Sequence, residues 1–135
     1  MTDIVASFAL NALGQVAWGV SDVERAEAFY GNTLGLRKLY RFGDLLFFDC
    51  AGVRLLLEKA PTNPPTTGAT LYFRCADIAL AVRSLTARGV TFAGPPHCIA
   101  KMADHDLWMA FFNDPDGHQL ALMQEAPKGY APAAP

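Results

Sequence analysis

Long apolar runs, clusters of basic residues and paired cysteines are all missing from this sequence of 135 residues. No run reaches the ~20 apolar residues that a membrane span requires, and no basic cluster offers the surface that nucleic acid needs. The three cysteines include no C-x-x-C pair, so neither a disulfide framework nor a structural zinc site is expected. The first ten residues carry Asp3 and no basic residue, which argues against a signal peptide. We therefore expect a protein of the reducing cytoplasm, with neither nucleic acid nor a membrane as a partner.

The composition favours one folded domain over residues 1–135. Hydrophobic residues make up 52% of the chain and charged residues 18%, and the formal net charge is −2. This composition is too apolar for a disordered chain, and the length suffices to bury a core without disulfides.

The first half of the chain, about residues 13–59, has the pattern of a strand, a helix and three further strands. Residues 13–20 form a short apolar run rich in strand formers, and Ser21–Glu24 have the pattern of a capping box. A helix is predicted over residues 23–33, because apolar residues recur at helical spacing until Gly35. Turn-favouring pairs then separate three apolar stretches that we predict to be strands: 36–42, 45–50 and 53–58.

The second half, about residues 70–125, repeats this order after a proline-rich linker at residues 60–69. A strand comes first, followed by a helix that Asp77 can cap and Gly89 can end. The predicted strands of this half are 70–75, 90–101, 107–113 and 118–124. The tail at 126–135 is rich in Pro and Ala and is expected to be loose.

Two spacings indicate that the halves are copies of one unit. Asp22 and Asp77 stand at matching helix starts, 55 residues apart, and the D-x-x-G turns that begin at Asp49 and Asp114 are 65 residues apart. The same order of caps, turns and strands occurs twice, which is typical of a duplication.

Three motifs mark the helix and turn positions: VSDVERAEAFY at 20–30, LGL at 34–36 and FNDPDGH at 112–118. In these motifs the sequence resembles the vicinal oxygen chelate superfamily, which includes glyoxalases, bleomycin resistance proteins and extradiol dioxygenases. The resemblance implies an α+β fold in which two tandem βαβββ modules form curved mixed sheets around a cavity, with the helices on the outside. It also implies a homodimer. Because this scaffold hosts many functions, the resemblance does not name a reaction.

Metal-binding members of that superfamily hold the ion with a His or Gln in the first strand of each module and a Glu in the last. The resemblance maps these positions onto Gln15 and Thr70 in the first strands and onto Leu56 and Ala121 in the last. Only Gln15 has a side chain that could coordinate a transition metal. We therefore expect no standard metal site and no cofactor, and we expect these four residues to line the cavity as ligand contacts.

Three other residues are predicted to face the cavity from the alternation of their strands. They are Arg54 in the fourth strand and Tyr72 and Arg74 in the fifth. A guanidinium and an aromatic ring in the cavity would suit an anionic or aromatic ligand. In the alternative interpretation, the arginines extend into solvent at the strand ends.

The densest polar group of the sequence lies between His97 and Trp108. If the chain turns near Ala103-Asp104, His97 and Trp108 come close across the hairpin and His105 stands at the cavity rim, with Lys101 between. A His can exchange protons near neutral pH, so this grouping predicts an acid/base site whose catalytic candidates are His97 and His105.

Two other interpretations of this segment stay open. In one, the loop tip is merely solvated and Trp108 belongs to the core; in the other, His97 and His105 hold a relocated divalent metal with Asp104 or Asp106. Among the remaining rings, Trp18 is predicted to pack under the first helix. His118, which follows a turn, is predicted to be exposed.

These observations favour a protein that binds a small organic ligand in the cavity between its modules, without the standard metal site. The alternative is a lyase, isomerase or dioxygenase-type enzyme that uses His97, Lys101 and His105 for acid/base chemistry or for a relocated metal. A third possibility is a dimeric interaction module with no ligand.

Overall fold

The computed structural model describes residues 8–60 and 68–132 of the chain. Most of the predicted linker, the end of the predicted tail and most of the segment considered for a signal peptide lie outside these residues. Within them, the helices and strands follow one another in the order expected of a duplicated βαβββ unit.

The first module opens with strand β1 (Gln15–Val20) and a helical segment. This segment starts as helix α1 (Val23–Glu27), which the side chain of Asp22 caps by accepting from the backbone nitrogen of Arg25, and it continues as a π-helix (Ala28–Thr33). The predicted helix at 23–33 is confirmed in extent, but its second half has wider turns than an α-helix. Three strands complete the module: β2 (Arg37–Phe42), β3 (Leu45–Cys50) and β4 (Val53–Lys59).

The second module repeats this order, and one of its strands is less than half as long as predicted. Strand β5 (Leu71–Arg74) leads to helix α2 (Ile78–Ala87), which Asp77 caps. The strand predicted at 90–101 is wrong in its first half, where Phe92 makes only an isolated pairing with Phe112. Two prolines at 95 and 96 cannot donate to a sheet ladder, so the strand begins after them. The remaining strands are β6 (His97–Lys101), β7 (Asp106–Asn113) and β8 (Gln119–Ala126).

Each module forms a mixed sheet of four strands, and the two sheets have the same topology. The strand orders are β1-β4-β3-β2 and β5-β8-β7-β6, and the first and last strands of each module pair in parallel. Val16 pairs with Leu55 in the first sheet and Leu71 with Leu120 in the second. These partners are displaced by the same 55 and 65 residues that the sequence motifs indicated, so the predicted fold and duplication are confirmed.

One face of each sheet packs under the helices, and the two modules share a single core. Trp18 is only 4% exposed, which confirms its prediction as a core residue. Side chains from both modules contribute to the cluster, among them Val20, Tyr30, Leu46, Phe48, Leu57, Ile78, Leu85, Ala110, Phe112, Leu120 and Leu122. The buried core is therefore continuous across the two modules.

A buried polar contact joins the modules at the turn before β8. The hydroxyl of Tyr30 donates to Oδ2 of Asp114 at 2.7 Å, and Oδ1 of Asp114 accepts from the backbone nitrogens of Asp116 and His118. Both Tyr30 and Asp114 are buried, so these bonds replace water for groups that cannot reach it. Next to them, the backbone nitrogen of Ser21 donates to Asp116.

The predicted exposure of His118 is wrong: the side chain is 1% exposed. The turn held by Asp114 folds the imidazole onto the indole of Trp18, with ring centroids 4.6 Å apart, and Nε2 lies 3.0 Å from the carbonyl oxygen of Gly19. That contact is a hydrogen bond when Nε2 carries the proton. The turn residues alone could not indicate this, because the partner ring lies 100 positions earlier in the sequence.

The tail is not loose as far as Tyr130. Strand β8 continues to Ala126, and Asp106 then accepts from Nζ of Lys128 at 2.7 Å and from the backbone nitrogen of Gly129 at 3.0 Å. The ring of Tyr130 packs edge-on against Trp108 at 5.9 Å. These contacts tie the chain end to the hairpin of β6 and β7.

None of the helices formed by residues 8–60 and 68–132 is long and apolar enough to cross a membrane.

Replacing Tyr30 with Phe removes the hydroxyl that bridges the modules and leaves a buried carboxylate oxygen of Asp114 without its partner. We expect the free energy of unfolding to fall by roughly 1–3 kcal/mol, as measured by urea denaturation. The matched control is Tyr40→Phe, which removes an exposed hydroxyl and should cost less than about 0.5 kcal/mol. Equal losses in the two variants would contradict the bridging role of Tyr30.

The contacts of Asp106 predict that the free energy of unfolding depends on pH. The ion pair with Lys128 and the hydrogen bond from Gly129 lower the pKa of the Asp106 carboxyl in the folded state. A lowered folded pKa stabilises the protein above the unfolded pKa of about 3.9, and this contribution is lost as the pH falls through the folded pKa.

Asp106→Asn is therefore expected to be less stable than the parent protein at neutral pH, with a gap that narrows as the pH falls below about 4. Urea denaturation at a series of pH values measures this gap. Lys128→Met should show a similar loss at neutral pH, because it removes the other half of the pair. A gap that is constant with pH would refute the assignment.

Candidate functional site

Each sheet turns one face away from its helix, and most of the predicted ligand contacts lie on these open faces. In the first sheet, Arg54 and Leu56 alternate with Leu55 and Leu57, which are buried under the helix. Gln15 pairs with Arg54 across the parallel strands and so shares its face. The open face of the first module therefore carries the three predicted residues Gln15, Arg54 and Leu56.

In the second module, the open face carries an aromatic group around Phe111. Tyr72 pairs with Ala121, which neighbouring side chains bury completely, and Phe111 is the partner of Ala121 on the other side. The rings of Tyr72 and His97 lie 6.3 Å and 6.2 Å from that of Phe111. Thr70, just before β5, donates its hydroxyl to Oε1 of Gln119.

Trp108 and Lys101 lie on the opposite side of the second sheet. Trp108 pairs with Gln124, whose side chain accepts from the backbone nitrogen of Ile78 at the start of α2. Lys101 pairs with Asp106, which is two residues from Trp108 in β7 and therefore on the same face of the sheet. The interpretation of Trp108 as a core residue is therefore favoured over its role as a ligand contact.

The structure does not bring the histidine pair together. The hairpin turns where expected, since the nitrogen of Met102 donates to the carbonyl of His105. His97, however, pairs with Met109 rather than lying against Trp108. His105 immediately precedes β7 and is four residues from Met109, which is roughly 13 Å of extended chain.

His105 instead interacts with its neighbour at the loop tip. Its Nδ1 lies 2.8 Å from Oδ1 of Asp104, and this contact lowers the pKa of the Asp104 carboxyl. Nδ1 of His97 lies 3.4 Å from the carbonyl oxygen of Pro95. No group of three or more His, Cys, Asp or Glu side chains that could hold a metal ion occurs in residues 8–60 and 68–132.

The four positions that hold a metal in related proteins do not fit one here. Leu56 and Ala121 have no donor atom, and the hydroxyl of Thr70 is engaged with Gln119. The register supports this assignment, because it gives the two modules equivalent pairings at these strands. One amide, that of Gln15, is too few for a transition metal, which needs several N, O or S ligands.

The two predicted inward arginines differ in their environment. Arg74 is 3.8 Å from Glu125 and its side chain is highly exposed, as expected of an arginine that extends into solvent. The guanidinium of Arg54 lies over the ring of Phe47, 6.0 Å from its centroid, and Nη1 donates to the hydroxyl of Tyr40 at 3.3 Å. Arg54 is therefore folded across the open face instead of leaving it.

A cavity of about 120 Å³ lies where the two modules meet, and it includes predicted residues from both. Arg54 comes from the first module and Tyr72 from the second. The rest of the wall is largely apolar and partly open to solvent: Val16, Cys50, Val53, Leu55, Leu71 and Phe73. Burial raises the pKa of the Cys50 thiol, so this side chain is a neutral wall residue rather than a nucleophile at neutral pH.

The sequence analysis missed three aromatic residues of the open faces. Tyr40, Phe47 and Phe111 lie in strands that were predicted correctly, but no contact was assigned to them. Pairing Phe47 with Leu56 and Phe111 with Ala121 would have found two of them from hairpin register alone. It also missed an open groove of about 650 Å³ beside Phe29 and Phe92, which contains none of the predicted site residues.

A family model and a solved structure both assign the chain to the same superfamily. The model of the Glyoxalase/Bleomycin resistance protein/Dioxygenase superfamily matches residues 12–122. A member of that superfamily from Sphaerobacter thermophilus is similar at 28% identity with a TM-score of 0.69, covering 86% of this chain and 98% of its own.

Two other solved structures share the fold. A glyoxalase/bleomycin resistance protein/dioxygenase from Nocardioides has 19% identity and a TM-score of 0.72, with 97% of this chain and 93% of that one covered. The lactoylglutathione lyase of Agrobacterium tumefaciens has 23% identity and a TM-score of 0.69, with coverage of 91% and 100%.

Because the four positions supply too few donor atoms for a transition metal, we expect added Zn²⁺, Ni²⁺ or Mn²⁺ to leave the midpoint of thermal unfolding unchanged. Chelation by EDTA is also expected to leave it unchanged. Differential scanning fluorimetry measures both. Leu56→Glu is the positive control, since it adds a carboxylate to the open face that carries Gln15, and a metal that binds there should raise the midpoint. A stoichiometric metal in the parent protein that Gln15→Ala removes would contradict this prediction.

Proposed function

Because the chain belongs to the Glyoxalase/Bleomycin resistance protein/Dioxygenase superfamily, we propose that it binds a small organic molecule in the cavity between its modules. The observation that carries the proposal is the shared wall of this cavity, to which Arg54 and Tyr72 contribute from different modules. A mostly apolar cavity with a few polar groups at its edge is the usual form of a small-molecule site.

The residues that surround this cavity are suited to a flat ligand. Tyr72 stands at its edge with 48% of its surface exposed, so its ring is free to stack on another ring. On the adjoining face, Tyr40 and Phe47 form a second aromatic surface, with ring centroids 4.7 Å apart. Binding at these surfaces needs no metal, which agrees with the absence of metal-coordinating atoms in the side chains of Leu56 and Ala121.

A second candidate function is catalysis of the lyase, isomerase or dioxygenase type with His97 as the acid/base group. It is favoured by the position of the imidazole, which shares the open face with Tyr72 and Phe111. Lys101 and His105 are not included in this candidate site. Lys101 lies on the other side of the sheet, and His105 lies at the loop tip. The similarity to a lactoylglutathione lyase is a likeness of fold and adds no residue to this candidate.

We also propose that the protein is a homodimer of the cytoplasm. Large apolar side chains remain exposed at the first sheet, where Phe42 is 66% exposed and Leu45 and Tyr40 are each 38% exposed. A second copy that covered them would remove apolar surface from water. All three cysteines are free thiols, as is usual in a reducing compartment.

Calorimetric titration with a panel of planar aromatic and thioester compounds tests ligand binding. We expect at least one compound to bind, and Tyr72→Ala to weaken it several-fold, since loss of an aromatic contact costs about 1 kcal/mol. Leu80→Ala is the matched control: it truncates an exposed apolar side chain on α2, remote from the cavity, and should leave the affinity unchanged.

Two results would count against the proposal. No binding across the panel would remove its basis, and equal weakening by both variants would place the ligand elsewhere. Turnover of a bound compound that is abolished in His97→Ala but unchanged in His105→Ala would favour the enzymatic alternative.

A further inference from the structure

A second cavity lies on the helix side of the second sheet, where the first module packs against it. Its volume is about 210 Å³, and six apolar side chains line it: Leu34, Leu36, Phe73, Leu85, Phe112 and Leu122. The two leucines that follow the π-helix belong to the first module, and the other four side chains belong to α2 and the second sheet. Only Phe73 also lines the cavity of about 120 Å³ described above.

The lining of this second cavity offers no partner to a polar group. None of its six side chains carries a polar atom. The backbone nitrogens of Leu34 and Leu36 donate to carbonyls of the helical segment that precedes them, and the carbonyl oxygen of Leu85 accepts from two nitrogens that follow α2. A buried water molecule needs roughly two to four polar partners, so water is poorly suited to this space.

The cavity has room for one ring and an open end through which a ring can enter. An apolar cavity of about 150 Å³ stays dry and binds benzene, and this one is larger. The side chains from α2, β7 and β8 are buried and form its closed end. The side chains of Leu34, Leu36 and Phe73 are partly exposed, so the cavity opens to solvent on their side.

A hydrogen bond between the modules keeps two walls of the cavity apart. Nη1 of Arg88, just after α2, donates to the carbonyl oxygen of Thr33 at 2.9 Å. Thr33 precedes Leu34 on one wall, and Arg88 is three residues after Leu85 on the other. Because this bond fixes the distance between the two segments, they cannot simply collapse to fill the space, and an empty cavity is costly to the fold.

We infer that this cavity is a second ligand site, which takes a small uncharged apolar molecule of about one ring in size. The inference goes beyond the proposed function, since it concerns a different cavity. A charged or hydroxylated group would lose its water here without gaining a side-chain partner. A hydrocarbon ring, in contrast, gives the lining side chains the van der Waals contacts that an empty space denies them.

The test compares benzene with phenol, which has the same ring and one hydroxyl. Both are titrated into protein whose leucine methyl groups are labelled with ¹³C. Shifts of the Leu34 and Leu85 methyl groups report on this cavity, and those of Leu55 and Leu71 report on the other one. We expect benzene to shift the first pair and to bind about tenfold more tightly than phenol, because the buried hydroxyl has no side-chain partner.

Substitutions that fill the cavity then locate the binding. Leu85→Phe adds bulk to the wall on α2 and Leu34→Phe to the opposite wall, and each should weaken benzene binding at least about tenfold by taking its space. Leu80→Phe is the matched control: it makes the same change on the same helix, at a side chain that is 52% exposed, and should leave the affinity unchanged. Circular dichroism confirms that each variant is folded, and the two filling variants test the cavity independently.

The outcomes separate this inference from the proposed function. The second site is refuted if benzene at saturation in water leaves the Leu34 and Leu85 methyl groups unshifted, or if phenol binds as tightly as benzene. Binding that persists in a folded filling variant also overturns it. If only Leu55 and Leu71 respond, the second site is refuted while ligand binding in the other cavity stands.

Discussion

The carboxylate of Asp114 is the contact on which the arrangement of the two modules depends. It shapes the turn before β8 through the backbone nitrogens of Asp116 and His118, and it accepts from Tyr30 in the other module. Burial and the neighbouring Asp114 charge raise the pKa of the Tyr30 hydroxyl, so it remains a donor throughout the physiological range. One side chain therefore fixes both the start of a central strand and the module that packs against it.

This constraint determines what lies on the other side of the sheets. With β1 and β8 held by the stack of Trp18 and His118, the equivalent residues Val16 and Leu71 come to line one cavity. The cavity is thus a product of the duplication, since each module supplies the same strand to its wall. The cavity is small because the side chains that close it are partly buried and pack against the shared core.

The sequence predicted what short-range chemistry determines and missed what distant contacts determine. The caps at Asp22 and Asp77 and the turns before β4 and β8 depend on neighbouring residues, so the fold followed from them. The burial of His118 and the attachment of the tail at Asp106 depend on partners that are far away in sequence. Alternation placed Gln15, Arg54 and Leu56 on one face, but the irregular pairing between Cys98 and Ala100 set His97 opposite Met109, which a regular alternation does not reveal.

The chemistry of the site follows from the residues that replace a metal shell on this scaffold. A transition metal would supply positive charge at the open face and attract oxygen ligands, but the side chains of Leu56 and Ala121 offer it no donor. Arg54, two residues before Leu56 on the same face, supplies a positive charge of a different kind. This charge is directional, because a planar guanidinium binds oxygen anions in its own plane. The open face of the first module therefore offers an oxygen anion a directional hydrogen-bond donor instead of a coordinating metal.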